Sequence, residues 1–189
     1  MNVLGTAPAR TSWSKITGLV RARRVVEELA FLDFTVDTVP LRELVTDPRE
    51  PPNPAREMTR LCEAWPEEAE HGLRRLLGEE PADFAGGRVA LLVCPIDADL
   101  GCAAVSAALA RGDGWVEWRD LGWQVSHEPF DVARNRLDPP MSFRFEADAY
   151  DLVLRDRLEH FRGLAARRGG APADRRWPNP LKRRSWPRP

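Results

Sequence analysis

The chain has 189 residues, 43% hydrophobic and 30% charged, the size of one globular domain that can bury a core without disulfides or a structural metal. Its net charge of −1 conceals a division: 163–189 carry eight basic residues against Asp174 alone, while the preceding 162 residues carry 20 bases against 28 acids. Three cysteines are too few for a secreted disulfide scaffold, and the longest apolar run, Val89 to Cys94, is too short to span a bilayer.

An acidic body repels phosphate, so nucleic acid or an anionic surface is expected only through the basic tail. Arginine outnumbers lysine 26 to 2, which with the abundant Ala, Gly and Pro points to a high-G+C bacterial genome. The first 26 residues contain no acid, a superficial likeness to a transit peptide, but they hold no central apolar stretch. A cytoplasmic protein without a signal peptide is expected.

Residues 1–12 read as an extended, weakly ordered start, and Trp13 to Arg24 fit strand and helix equally. Leu32, Phe34 and Val36 then alternate with Asp33, Thr35 and Asp37, which predicts a strand with one buried and one wet face. Pro40 opens a short helix through Val45, and Asp47 to Pro54 form a proline-stiffened connector. Pro66, followed by Glu67 and Glu68, starts a second helix. Its stripe is Ala69, Leu73, Leu76 and Leu77, and Gly78 ends it.

Val89 to Cys94 predicts an interior strand covered on both faces. Arg111-Gly-Asp-Gly114 is tight-turn chemistry joining 102–110 to 115–121 as a hairpin. Within it Trp115 and Trp123 share one strand parity and Trp118 takes the other. One side of that strand must be core, and an exposed aromatic side would be a partner-binding patch. Residues 134–141 are loop, and Phe143 and Phe145 mark another strand. A last helix follows, with Tyr150, Val153, Leu154, Leu158 and Phe161 on one face. The expected architecture is α+β: an antiparallel or mixed sheet of about five strands with two or three helices on one face. A single domain should span 1–162, with a Pro/Arg/Trp-rich disordered tail from 163 to 189.

Ligand-like spacing occurs once, at Cys94-Pro-Ile-Asp97-Ala-Asp99-Leu-Gly101-Cys102. If Cys94 ends one strand and Cys102 begins the next, the sulfurs approach. Cys94, Asp97 and Cys102 could then hold a soft metal such as zinc, or the two thiols could form a reversible disulfide as catalytic residues. The competing reading is two buried small hydrophobes. Asp97 to Gly101 opens like a calcium loop but lacks the third acid and closing glutamate. His71 and His160 read as surface residues, and His127 could serve Cys102 as a base only if the fold joins them. No phosphate-binding glycine loop or dinucleotide fingerprint is present, so no nucleotide cofactor is expected.

Arg88 to Asp120, with Cys94-Pro, Asp99-Leu-Gly-Cys102-Ala and Trp118-Arg-Asp120, resembles an uncharacterised family of small actinobacterial proteins. Glu128-Pro-Phe130 and Phe143-Arg-Phe145 leading to Tyr150 resemble it too, over most of residues 3–162. Some relatives carry a third cysteine at the position of Asp97, so this chain departs from their C-x2-C-x4-C pattern. Members often bear the label oxidoreductase, which brings no catalytic residues with it. With no complete catalytic set visible, the function expected is non-catalytic binding of a protein or small molecule. A thiol- or metal-dependent oxidoreductase using Cys94 and Cys102 is the alternative.

Overall fold

The computed structural model describes residues 1–17, 23–46, 54–95 and 98–168, which form eight strands and four α-helices. The α+β class is as expected, and the strands divide into two four-stranded antiparallel sheets. In the first, β1 (Leu4–Thr17) pairs with β2 (Arg23–Val36), whose other edge takes β3 (Val39–Pro40) and β4 (Leu61–Cys62). In the second, β5 (Arg88–Val93), β6 (Ala104–Gly112), β7 (Trp115–Gln124) and β8 (Phe143–Glu146) form a meander. Two backbone bonds tie the sheets together, Asn2 N to Arg144 O (2.6 Å) and Thr59 N to Val93 O (3.0 Å).

Helix α1 (Leu41–Leu44) follows Pro40 directly. Helix α2 (Pro66–Leu77) starts at its proline, carries Glu67 and Glu68 in its first turn, and ends at Gly78 with φ 76°. A single-turn α3 (Val132–Asn135) opens the stretch 134–141 expected as loop, and the apolar stripe of α2 meets that of α4 (Ala147–Arg168), where Tyr150, Leu154, Leu158 and Phe161 are buried. One apolar core joins these helices to the inner faces of both sheets. Trp118 stands at its centre, edge-on to Phe34 (5.7 Å), Phe145 (5.0 Å) and Tyr150 (6.1 Å), and donates to the Tyr150 hydroxyl at 3.0 Å.

Three expectations are corrected. The supposed wet face of β2 is covered: Asp33 is 1% and Thr35 8% exposed, because α1 folds back over them and the Arg42 Nε donates to Asp33 Oδ2 at 2.6 Å. Trp123 shares the face of Trp118, not of Trp115. One extra residue of β7 between the Arg119↔Ala108 and Gly122↔Ser106 pairs reverses the parity there, and Asp120 within it has φ 47°. Finally, α4 runs six residues past the boundary at 162. The connector 47–53, Asp97 and the expected disordered stretch 169–189 lie outside the described residues. No helix among the described residues is long and apolar enough to cross a membrane.

Candidate functional site

β1 and β2 together make a ribbon far longer than the sheet they belong to. Beyond the pairs of Phe31 and Leu32 with β4, eight successive rungs follow, from Arg10↔Ala30 to Thr17↔Arg23. Among the described residues no third strand joins any of them. At about 3.4 Å per residue they extend some 24 Å. At the root, Glu63 N donates to Ala30 O (3.3 Å), and Arg10 faces Glu28 across the strands at 3.8 Å with both side chains exposed. The C-terminal end of α4 arrives at the same place, where Arg168 Nη1 donates to Ala64 O at 2.7 Å.

The β5–β6 hairpin holds Cys94 and Cys102 in its connecting loop, outside both strands. Val93↔Ala104 is its last rung, so Cys94 lies one residue beyond it and Cys102 two before it. Both are half-buried, and all three cysteines are thiols. Cys94 O accepts from Ala98 N (3.0 Å), Asp99 Oδ1 accepts from Gly101 N (2.8 Å), and Cys102 Sγ lies 4.0 Å from Asp99 Oδ2. The Asp99 carboxylate thus caps a turn as short acidic side chains do. Ser126 N donates to Leu100 O at 3.0 Å, which brings the loop of His127 beside the cysteine loop. His127 is itself exposed and faces Glu128 at 3.7 Å. Among the described residues no group of three His, Cys, Asp or Glu side chains is placed to hold a metal. Cys62, on β4, is buried, and that burial pushes its thiol above the ordinary range.

A buried polar cluster on the outer face of the second sheet escaped the sequence reading. Arg88 Nε donates to Ser106 Oγ and Gln124 Oε1, both at 3.1 Å, and its Nη2 reaches Asp120 O at 2.8 Å. The bulge in β7 turns that carbonyl toward the guanidinium, and Phe130 lies over it at 3.4 Å. Burial pushes Arg88 down to about 10, with the Asp120 charge opposing the shift. Alternation alone gave no sign of it, because Arg88 stands at the edge of an apolar run. The cluster joins three strands under a lid and leaves its donors facing protein acceptors.

An open depression of about 490 Å³ lies among Arg42, Glu43, Thr46 and Arg56. Its Arg42 is already held by Asp33, by the Arg56 carbonyl and by the Phe31 ring at 4.7 Å. Trp115 and Trp123 are both half-buried, on opposite faces of β7, and Trp115 is flanked by the guanidiniums of Arg144 (4.5 Å) and Arg119 (5.8 Å). No family model, no curated protein and no solved structure matches the chain.

Proposed function

We propose that this protein is a non-catalytic interaction module that engages its partner through the β1–β2 ribbon. One observation carries the reading: among the described residues, eight rungs of paired strand extend past the last residue that has a third strand beside it. A two-stranded ribbon is marginal in water on its own, because ordering its backbone is offset only by its cross-strand pairs. Docking supplies the missing surface.

Excising residues 11–29 and joining Arg10 to Ala30 through Asn-Gly tests this. The body is expected to melt within a few degrees of the intact chain, since the core residues of β2 begin at Phe31. A fall of more than 10 °C would show that the ribbon is a structural part of the body and would defeat the reading.

A dithiol function is the second reading, favoured by the placement of Cys94 and Cys102 within two residues of the same last rung. It expects both thiols to react quickly with a disulfide reagent, with Cys62 as the slow internal standard, and to be partly oxidised before reductant. Two slow thiols, with no metal in protein purified without chelator, remove it.

A further inference from the structure

The ribbon carries a charge gradient. No acid precedes Glu27, while Arg10, Lys15, Arg21, Arg23 and Arg24 all do. Glu27 and Glu28 pair with Trp13 and Ser12, toward the root, whereas Lys15, Arg23 and Arg24 occupy the three outermost rungs.

The second basic segment starts at the foot of the same ribbon. Arg167 and Arg168 end α4 there, Arg168 bonding to Ala64 next to the Glu63–Ala30 contact. Between these two ends, 27–162 carry 15 bases against 28 acids. Residues 1–26 thus carry five bases and no acid, while 27–162 carry an excess of 13 acids.

On the reading that the ribbon is the docking element, we infer that its partner is a nucleic-acid duplex held by its phosphates. A two-stranded ribbon fits the major groove, which is about 12 Å wide and has a phosphate row on each side. Repulsion from the acidic body keeps the duplex on the arm and confines binding to it.

The test is fluorescence anisotropy of the full chain on a labelled 25-base-pair duplex between 50 and 200 mM salt. Binding should weaken steeply with salt. The triple variant K15A/R23A/R24A should lose at least tenfold in affinity at 50 mM and flatten the log–log salt slope by about 3, at roughly 0.9 for each phosphate no longer neutralised. Restoring charge with R23K/R24K should keep the binding, which separates charge from folding. The proposal is overturned if the triple variant binds as wild type. It is overturned equally if binding depends only on the six bases of 169–189 (neutralised in the full chain), or if the protein binds vesicles of anionic lipid but not the duplex. Those failures leave the ribbon as a docking element intact when its excision spares the body, so the two claims fail separately.

Discussion

Asp33 has one carboxylate oxygen on Arg42 and the other, Oδ1, buried without a hydrogen-bond partner. Burial raises its pKa above the usual 3.8, and the Arg42 bond and charge work against that shift. A carboxyl with a raised folded pKa holds its proton more tightly in the native state. Its contribution to stability is then complete below the unfolded pKa and is lost as pH rises through the folded one. Wild type is therefore expected to gain on Asp33→Asn as pH falls from 7 toward 4, in urea midpoints taken side by side. Movement the other way would mean that Arg42 dominates and holds Asp33 ionised. A second buried charge depends on the absence of a side chain. Arg60 lies across Gly72 of α2 to reach Asp83 Oδ1 at 3.1 Å, and a Cβ on Gly72 would sit 2.0 Å from its Nε. Gly72→Ala should cost about 2–4 kcal/mol in urea unfolding, through overpacking and a broken buried ion pair.

Among the elements, the segment 130–141 is held against β7 by a close approach at Gly122. A Cβ there would lie 2.3 Å from Asn135 O and 2.7 Å from the Phe130 ring. Leu137 N donates to Leu121 O (2.9 Å) and Leu121 N to Met141 O (3.0 Å). Gly122→Ala should lift this flap from Arg88, costing about 1–3 kcal/mol. Amide exchange at Leu121 and Leu137 should quicken while that of β5 does not. Unchanged exchange at those two amides would show that the flap tolerates the methyl. Helix α2 was fully legible in sequence because proline, acids, stripe and glycine all agree. The ribbon was not: residues 13–24 show no clean alternation of apolar and polar residues, and their pattern fits strand and helix equally. Summing charge over 162 residues also merged the basic arm with the acidic body. The place of Trp123 was lost to a single extra residue near Asp120, which no periodicity reveals. Sequence set Cys94 at the end of one strand and Cys102 at the start of the next, and in the structure β5 stops one residue before Cys94 and β6 starts two after Cys102.

At the scale of the whole molecule, the two sheets share too much to unfold apart. Phe34 belongs to the first sheet and Trp118 to the second, and their rings meet edge-on inside one core that also takes the stripes of α2 and α4. The bonds from Asn2 to Arg144 and from Thr59 to Val93 close the remaining seams. Deleting the Phe34 ring removes apolar burial from one sheet and opens a cavity against the central tryptophan of the other. The cost should be about 3–5 kcal/mol, a large share of the roughly 5–15 kcal/mol that a domain has in total. Because the lesion lies in one sheet and Trp115, Trp118 and Trp123 in the other, Phe34→Ala also tests cooperativity in a chain whose remaining four tryptophans are changed to phenylalanine. Tryptophan fluorescence and far-ultraviolet circular dichroism should report the same lowered urea midpoint, in one transition, as they should with Phe34 in place. A fluorescence midpoint that stays at its value with Phe34 in place while the dichroism midpoint falls would mean that the sheets are independent units. The acidic body could not then serve as one rigid base for the ribbon.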